Sequence, residues 1–582
     1  MNHSYPVFTL EAECQDCYKC VRHCPVKAIR VRDGHAAVIP EMCIACGRCV
    51  EVCPVKAKQV RNDTAFVRQM LGEERPVYVS LAPSWISEFP EMEPSQMIRA
   101  LKKLGFAGVS ETALGAQLVS FSLAEELNAG KGDLLLSSAC PAAVDYVCKY
   151  LPHLAEKITK VSSPLLSHCR LLRDRFGEEI RIVFAGPCIA KKNEADRHPE
   201  LLNAALTYPE LRQMFREAGI SPEQFPADPG ERFLPEAAEE GARYPIEGGM
   251  NDTIQFQLTN RKIQFATLAG CRSFKLALSG LEGVTPGNVV FVEMLACSGG
   301  CVHGPCAEHK SPGLHERLRV LCRTTFPDHP RNRETAGSIR EQYSAGAIVN
   351  AQPSSPELTE ALRSIGKTTP EDELNCDGCG YDTCRNFAQA MLAGRAEPSM
   401  CVSYLKKQAQ KKANALLRSI SSGVVICDRK LQIIECNRNF ARLFGEDTEI
   451  AFEASPGLAG ADLRRIVPFS NLFESALETG KEIRRDSMKV GKKLFNVNIF
   501  LIEPGETVGA AIFDVTNTEF RREQIAARAR EVIDKNLASV QEIASRLGEQ
   551  IADTELLLRS IADDYADSDT LKQREAMEHF GK

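Results

Sequence analysis

Residues 14–25 read CQDCYKCVRHCP, and residues 43–54 read CIACGRCVEVCP. Both stretches follow the pattern C-x2-C-x2-C-x3-C-P. Three thiolates two residues apart are able to wrap one metal centre, and the proline after the fourth cysteine ends the turn and directs the chain to the other half. The two complete copies predict a paired metal-binding domain over residues 1–64.

This doubled run is that of bacterial two-cluster ferredoxins, in which the fourth cysteine of each copy ligates the other cluster. We expect one [4Fe–4S] cluster on Cys14, Cys17, Cys20 and Cys53, and a second on Cys43, Cys46, Cys49 and Cys24. Zinc also binds four cysteines, but two repeats with both prolines are hard to explain as zinc sites. His23 lies inside the run and is expected to be only a neighbour. The motif alone leaves electron transfer and structural docking open.

The chain has 582 residues, of which 44% are hydrophobic and 25% charged, so several soluble domains are expected. A net charge of -6 gives no reason to expect a nucleic-acid partner. The N-terminus shows no apolar signal core and no run is long enough to span a bilayer, so we predict a cytoplasmic protein without a membrane partner. The 23 cysteines then indicate metal or redox chemistry rather than disulfides.

After the paired motif, short apolar runs alternate with amphipathic patterns. Buried strands that end in turns with Pro or Cys are predicted for PVYVSLAP, GDLLLSSACP, IRIVFAGPC and NVVFVEMLAC. Helices are predicted for PSQMIRALKKLG and ETALGAQLVSFSLAEELN. This alternation predicts an α/β domain over residues 76–350 with its chemistry at the strand ends.

Three of these strand-end loops carry cysteines. Cys140 lies in SSACPAAV, Cys188 in GPCIAKKNE, and Cys297 with Cys301 in LACSGGCVHG. Four such thiolates can converge on one cluster, although their spacing alone is weak support. The other cysteines of this domain lie outside such loops and are predicted to be small buried hydrophobes: Cys148, Cys169, Cys271, Cys306 and Cys322.

In this order the three loops resemble the cysteine signatures of the [FeFe]-hydrogenase catalytic domain, T-S-C-C-P, P-C-T-x-K and M-A-C-x-G-G-C. The resemblance implies an H-cluster, in which a [4Fe–4S] cube is joined through a cysteine to a diiron site. It implies as cube ligands Cys140, Cys188, Cys297 and Cys301, with Cys301 as the bridge. It also implies that Lys191 donates a hydrogen bond to a cyanide ligand, and that Ala82 and Pro83 form another loop around the same ligands.

The chain also departs from this family pattern. The first cysteine of T-S-C-C-P is the family's proton relay, and Ala139 stands in its place. Alanine has no exchangeable proton, so general acid–base transfer at that step is lost. Gly186 and Leu295 replace two family methionines, and the third loop is shortened to Gly304-Pro305. Because the surrounding shell tunes a metal as its ligands do, fast hydrogen turnover is not expected.

A further block within residues 366–405 has the pattern C-x2-C-x4-C-x16-C and consists of Cys376, Cys379, Cys384 and Cys401. It resembles the small iron–sulfur module of corrinoid iron–sulfur proteins, which implies another cube. Zinc is the alternative, since it accepts four thiolates at spacings of this sort. With the three sets above, the resemblance brings the expected total to four [4Fe–4S] clusters.

Residues 414–516 resemble a PAS domain, a sensing or dimerising module. The supporting features are the strands SGVVICD and QIIECN, the turn at Arg429-Lys430 between them and the helix start at Asn437. Cys427 and Cys436 are predicted to be core residues. Residues 517–582 have apolar positions at three- and four-residue steps, which predicts helices that form either a coiled coil or a cap on the PAS domain.

The predicted fold is therefore multidomain α/β and α+β: a two-cluster ferredoxin-like domain, an α/β [FeFe]-hydrogenase-like domain, a small Fe–S module, a PAS domain and C-terminal helices. The resemblance implies a sensory [FeFe]-hydrogenase-like protein that reports hydrogen or redox state. The alternatives are a slow hydrogenase (H2 = 2 H+ + 2 e-) and an electron-transfer protein without the diiron site. Expected partners are a ferredoxin, maturation proteins that supply the diiron site, a separate kinase or phosphatase effector, and a second copy of the chain.

Overall fold

The computed structural model describes residues 5–129, 134–221, 224–259, 263–279, 289–308, 314–333, 338–348, 353–491, 493–516 and 531–537. The chain divides into two compact units, Met1–Met400 and Cys401–Lys582. Because no finer division is made, the domain boundaries expected from the sequence stay predictions. Within the described ranges, no helix is both long and apolar enough to cross a bilayer.

The N-terminal region is built as two similar halves. Its elements are β1 (Val7–Thr9), α1 (Lys19–His23), β2 (Ile29–Arg32), β3 (His35–Val38), α2 (Arg48–Val52), β4 (Lys58–Val60) and α3 (Thr64–Leu71). Strand β1 pairs with β4 and β2 pairs with β3, both antiparallel. The left-handed residues Asp16, Tyr18 and Lys27 recur 29 positions later as Ala45, Gly47 and Lys56. The repeated motif thus has a repeated backbone conformation.

The middle region contains two parallel sheets. Its strands are β5 (Val77–Leu81), β6 (Gly108–Glu111), β7 (Leu134–Leu136), β8 (Arg181–Gly186), β9 (Ala204–Thr207), β10 (Gln264–Ala269) and β11 (Val290–Leu295). One sheet has the order β6-β5-β8-β9 and the other the order β10-β11-β7. The four strands expected from the sequence are present, and β6, β9 and β10 were not predicted. All pairs are parallel, as the α/β alternation requires.

Helices surround these sheets: α4 (Trp85–Glu88), α5 (Pro94–Lys103), α6 (Ala113–Asn128), α7 (Pro141–Tyr150), α8 (Pro164–Phe176), α9 (Ala190–Arg197), α10 (Tyr208–Glu217), α11 (Gly249–Gln257), α12 (Cys271–Leu278) and α13 (His315–Arg323). The core beneath β5 and β8 includes the fully buried side chains of Trp85, Phe89 and Tyr208. The loops with Cys140, Cys188 and Cys297 follow β7, β8 and β11. Because parallel strands present their carboxyl ends at one edge, the two sheets bring these loops together.

The last part of the first unit consists of α14 (Ser355–Ser364) and α15 (Cys384–Leu392). It packs on the N-terminal region, where Val31 N–H donates to the carbonyl of Arg395 at 3.0 Å. The Glu397 carboxylate accepts from the backbone N–H of Asp33 at 2.6 Å and of Gly34 at 3.4 Å. This segment therefore lies against the cluster motifs.

The second unit begins with α16 (Val402–Ser419) and continues with β12 (Gly423–Asp428), β13 (Ile433–Cys436), α17 (Arg438–Leu443), α18 (Glu446–Ala454), α19 (Ser470–Thr479), β14 (Ile483–Val490), β15 (Lys493–Glu503) and β16 (Thr507–Asp514). The strands form an antiparallel sheet in the order β13-β12-β16-β15-β14. Cys427 and Cys436 are buried in its core, as predicted. Of the predicted helical tail, residues 531–537 are helical, and the rest of it lies outside the described residues.

Candidate metal centres

The thiol of Cys20 lies in the electrostatic neighbourhood of Cys14, Cys17 and Cys53, the three residues that the ferredoxin motif pairs with it. Burial raises the pKa of Cys20 to about 11, and the charge of Lys58 opposes that shift. Cys20 is buried, Cys14 and Cys53 are half-buried, and Cys17 is exposed. Four thiols placed together become thiolates when a metal compensates their charge. The arrangement therefore fits the first predicted cluster.

The second set is assembled across the two halves of the motif. Cys49 has as electrostatic neighbours Cys24, Cys46 and Cys43. The N–H of Ala28 donates to Cys24 Sγ at 3.3 Å, and the N–H of Ala45 donates to Cys43 Sγ at 3.3 Å. Cys24 belongs to the first copy of the motif and joins three cysteines of the second copy, as the expected exchange requires.

In the middle region, one cavity is lined by all four predicted cube ligands, Cys140, Cys188, Cys297 and Cys301. Burial, together with the nearby Cys140 thiol, raises the pKa of Cys188 to about 11. Cys297 has Cys301, Cys188 and Cys140 as neighbours. The donor set and its burial match a [4Fe–4S] cube, because thiolates are the protein ligands that such clusters take.

Helix N-termini orient two of these thiols. Cys140 immediately precedes α7; burial raises the pKa of its thiol, and the nearby backbone N–H groups of Ala143 and Ala142 oppose that shift. Cys188 lies just before α9, and the nearby backbone N–H groups of Lys191 and Ala190 favour the charged form of its thiol. Free N–H groups at a helix N-terminus favour a negative charge, so both positions stabilise a ligating thiolate.

A tight turn joins the other two thiols. Gly299 and Gly300 have φ angles of +83° and +91°, a conformation that favours glycine. A side chain at Gly300 would lie 2.4 Å from the carbonyl oxygen of Pro245. The two glycines thus allow Cys297 and Cys301 to face the same cavity.

Lys191 lies beside this cavity in a buried ion pair. Its Nζ donates to Glu194 Oε2 at 2.6 Å and to Ser163 Oγ at 3.1 Å. Burial opposes the charged form, but the Glu194 carboxylate and the thiols of Cys188 and Cys140 raise the pKa of Lys191. The side chain is therefore a fixed cation next to the cube ligands.

The departures from the family pattern have structural counterparts. A Cβ at Gly186 would lie 2.4 Å from Phe184 Cζ and 2.7 Å from Ala82 Cβ, so these two side chains occupy the space of the family methionine. Pro83 follows Ala82 and is half-buried. Ala139 is half-buried and packs against the apolar cluster beside α6. Leu295 is buried and lines the cube cavity with Gly304 and Pro305.

The second ferredoxin set lies next to the cube cavity. Cys46 lines that cavity and is an electrostatic neighbour of Cys297. A Cβ at Gly47 would lie 2.4 Å from Pro305 Cβ and 2.7 Å from Ile189 Cδ1, so the backbone of the ferredoxin motif approaches the cube loops closely. The two metal centres are therefore direct neighbours.

A buried ion network fixes this junction. Lys192 is fully buried, and its Nζ donates to Asp63 Oδ2 at 2.9 Å, to Glu210 Oε1 at 2.9 Å and to the carbonyl of Ala205 at 2.7 Å. Asp63 also accepts from Arg61 Nε at 2.8 Å. The two lysines of α9 thus have different tasks, since Lys191 lies by the cube ligands and Lys192 holds the ferredoxin region.

Of the cysteines predicted to be buried hydrophobes, Cys169 and Cys306 are buried and Cys148 is half-buried. The prediction is wrong for Cys322, which is exposed because it lies near the end of the amphipathic helix α13 with its thiol on the solvent side. Cys271 is buried, but it follows the end of β10 as the ligand cysteines follow their strands. Its burial agrees with the prediction.

The third cysteine block repeats a feature of the first two. Cys376 stands between Asn375 and Asp377, whose φ angles are 47° and 55°. Cys17 and Cys46 are also flanked on both sides by residues with positive φ. The side chain of Asn375 accepts a hydrogen bond from the N–H of Cys384 at 2.8 Å, which ties the loop to the start of α15. Cys379 is half-buried, and Cys401 belongs to the second unit.

Near the first ferredoxin set, Cys14, Asp16 and His35 bring their ligand atoms within 4.8 Å of one another. Neither Asp16 nor His35 was predicted as a ligand, because Asp16 occupies a spacer position of the ferredoxin motif and His35 lies outside it.

Family models match four parts of the chain. The model "Iron only hydrogenase large subunit, C-terminal domain" matches residues 75–305, and "4Fe-4S dicluster domain" matches residues 7–54. A model for a proposed Fe–S cluster matches residues 372–403, and "PAS domain" matches residues 412–485. These matches confirm the predicted fold classes of the ferredoxin-like, hydrogenase-like and PAS regions.

Two relatives are similar over part of the chain. The periplasmic [Fe] hydrogenase large subunit of Nitratidesulfovibrio vulgaris is 28% identical over 378 residues, which are 54% of this chain and 88% of the relative. Iron hydrogenase 1 of Clostridium pasteurianum is 26% identical over 305 residues, which are 42% of this chain and 52% of the relative. The match thus spans about half the length of the second relative. An [FeFe]-hydrogenase structure from Chlamydomonas reinhardtii aligns with a TM-score of 0.39 and 18% identity, covering 50% of this chain and 100% of that one.

Proposed function

We propose that this chain, which is a PAS-containing [FeFe]-hydrogenase-like iron–sulfur protein, senses hydrogen or redox state in its middle region and relays it to a separate effector. The observation that carries the proposal is Ala139. Four cube-ligand thiols line one cavity, but the position that carries the family's proton relay holds a side chain with no exchangeable proton. A site that keeps its metal ligands and loses proton transfer is suited to report a state rather than to turn over substrate.

The residues would hold the H-cluster as follows. Cys140, Cys188, Cys297 and Cys301 would ligate the cube, and Cys301 would bridge it to the diiron unit. When bound, this group supplies hydrogen binding and electron exchange. Lys191 would place its ammonium against a cyanide ligand, since its charge is held by Glu194 beside the cube thiols. Lys191 is buried and the four cysteines are half-buried, so the protein limits the access of bulk water to the centre.

Proton supply would be slow at this centre. Ala139 offers no donor, and the neighbouring Ser138 hydroxyl is engaged with Thr159 Oγ1 at 3.0 Å. A positioned acid or base contributes about 10²–10⁴-fold to a proton-transfer step, so its loss costs a factor of that order. Electron supply is different, because Cys46 and Cys297 place the second ferredoxin set against the cube.

Four [4Fe–4S] clusters fit the four sets of cysteines. For the third block, iron–sulfur is favoured over zinc by the flanking of Cys376 with positive-φ residues, as at Cys17 and Cys46, and by the match over residues 372–403. Its loop lies near the first half of the ferredoxin motif, where Arg22 donates to the carbonyls of Gly378 at 3.4 Å and Cys17 at 3.0 Å. Cys401, the last cysteine of this block, immediately precedes α16 in the chain.

The output would act through other proteins. A PAS domain is a sensing or dimerising module, and we propose that the C-terminal helices dimerise and contact a kinase or phosphatase. A ferredoxin would exchange electrons with the clusters, and maturation proteins would supply the diiron unit. We place the protein in the cytoplasm, although one relative is named a periplasmic subunit.

A hydrogen-oxidation assay on fully matured protein tests the sensory function. Turnover far below that of relay-containing hydrogenases is expected. Turnover comparable with those enzymes would contradict the sensory function and favour a catalytic hydrogenase with PAS as its regulatory input. Protein that carries cubes but no diiron unit after maturation would instead be an electron-transfer protein.

A further inference from the structure

Three side chains donate hydrogen bonds to the backbone at Cys43, a predicted ligand of the second ferredoxin cluster, and at the residue before it. Lys149 Nζ donates to the carbonyl of Cys43 at 2.7 Å, and Tyr5 Oη donates to the same carbonyl at 3.1 Å. Tyr150 Oη donates to the carbonyl of Met42 at 2.6 Å. Since the first of these donors is an ammonium group, a cation is fixed at the backbone of a predicted cluster ligand.

Lys149 is held in this place by the helix that carries it. It lies in the last turn of α7, which begins directly after Cys140 and spans about 15 Å. The carbonyl of Cys140, a predicted cube ligand, accepts from the N–H of Val144 in the first turn at 3.0 Å. One helix therefore starts at the cube cavity and ends on the ferredoxin motif, so the fold sets the position of the Lys149 backbone.

The charge of Lys149 is not cancelled by its acidic neighbour on α7. Both carboxylate oxygens of Asp145 accept from the guanidinium of Arg197, at 2.7 Å from Nη1 and 2.8 Å from Nη2. Burial lowers the pKa of Lys149, and the charge of Asp145 opposes that shift. With Asp145 paired to Arg197, the three groups together carry a net positive charge beside the Cys43 loop.

A fixed positive charge near an iron–sulfur cluster favours its reduced form. Reduction adds one electron to a cluster that is already bound by four thiolates, so the reduced form is more negative and gains more from a nearby cation. Net charge and hydrogen bonding around the cluster are among the factors that set its potential. Lys149 is half-buried, so salt screens its charge less than that of an exposed lysine.

We propose that Lys149 is a positioning residue that holds the Cys43 loop and whose ammonium raises the reduction potential of the second ferredoxin cluster. The inference rests on the proposed assignment of Cys43 to that cluster. The same set of cysteines adjoins the cube cavity through Cys46. Lys149 therefore favours electrons on the cluster that is placed to receive them from the cube, and this cluster stays reduced over a wider range of conditions.

The test is a redox titration of the full-length, cluster-loaded protein, monitored by the electron paramagnetic resonance signals of the individual clusters. Lys149→Met keeps a side chain of similar length without the charge and is expected to shift one cluster to a lower potential. Lys149→Arg keeps the charge and is expected to stay near the wild-type potential. Lys157→Met changes an exposed lysine in the short helical turn after α7 and is the matched control, with no shift expected.

Unchanged potentials in Lys149→Met would overturn the proposal, and so would equal shifts in Lys149→Met and Lys149→Arg, because the charge would then not be the cause. Loss of a whole cluster from Lys149→Met would also overturn it, since the residue would then only support the fold.

Cys43→Ala tests the assignment on which the inference rests. This variant is expected to lose the signal of the same cluster that shifts in Lys149→Met, and full iron content in Cys43→Ala would show that Cys43 holds no cluster. The titration needs no diiron unit, so its result is independent of whether the protein senses hydrogen.

Discussion

The ferredoxin region and the middle region hold their thiols in opposite ways. The ferredoxin region takes eight cysteines from residues 14–53, and its loops repeat even in their left-handed positions. The middle region takes four from loops that follow strands of two different sheets. One set is fixed by local spacing, the other by the tertiary fold.

The two regions also differ in what they have kept. Every ligand and both prolines of the ferredoxin motif are in place. The middle region keeps the four cysteines predicted to ligate the cube and Lys191, but Ala139, Gly186 and Leu295 depart from the family pattern around the predicted metal site. The cysteines expected to hold electron-carrying clusters are thus present, whereas the cysteine expected to carry protons is replaced by Ala139. This difference is the physical basis of the sensory proposal.

Restoring the relay should have the largest effect. Ala139→Cys replaces a methyl group by a thiol that can carry a proton, and we expect hydrogen oxidation by matured protein to rise by about 10²–10⁴-fold. Ala139→Ser has a similar volume and a far less acidic group, and it serves as the control. Equal rates in wild-type and Ala139→Cys protein would show that Ala139 does not limit turnover.

Removing one predicted ligand from each region should show which region depends on its cluster for folding. Cys188→Ala is expected to lose one cube, about four irons, while the middle region stays folded on its own large core. Cys20→Ala is expected to lose one cluster and to loosen the ferredoxin region, because small metal domains depend on their metals for folding. Iron content measures the loss of a cluster, and limited proteolysis measures the loosening of the fold. Equal susceptibility of both variants to proteolysis would show that the two regions do not differ in their dependence on a cluster.

Breaking the junction should cost stability. Lys192→Met leaves Asp63 and Glu210 without their buried cation, and the loss of one partner from a buried pair costs about 3–5 kcal/mol. Lys102→Met removes a more exposed partner of Glu231 and should cost no more than about 1 kcal/mol. Denaturant unfolding measures both, and equal losses would show that the network does not support the junction.

Placing a larger side chain at Gly186 should have the smallest effect, a modest loss of folding stability. Gly186→Met places a side chain against Phe184 and Ala82, and overpacking of this kind costs about 1–3 kcal/mol. The cost should fall when Phe184→Ala is present, because the added side chain then has space. A cycle of the two single variants and the double variant measures this coupling, and additive losses would contradict the packing account.

The extent to which sequence predicted this molecule follows from the same comparison. The doubled motif predicted cross-over of Cys24 into the second set because short spacings nearly determine the local backbone. The contact of Ala82 with the space at Gly186 could not be predicted, since only the pairing of β5 with β8 brings the two residues together. Strand β10 was not predicted, because it is partly exposed and has no clear apolar pattern. Cys322 was predicted to be buried because it lies outside the strand-end loops, without considering which face of helix α13 it occupies.

The most direct test of the sensory proposal is the infrared spectrum of matured protein under argon and under hydrogen. We predict bands of iron-bound CO and cyanide that shift when hydrogen is admitted, in protein whose hydrogen-oxidation rate is very low. The absence of these bands, or bands that do not respond to hydrogen, would contradict a hydrogen-sensing role for this centre.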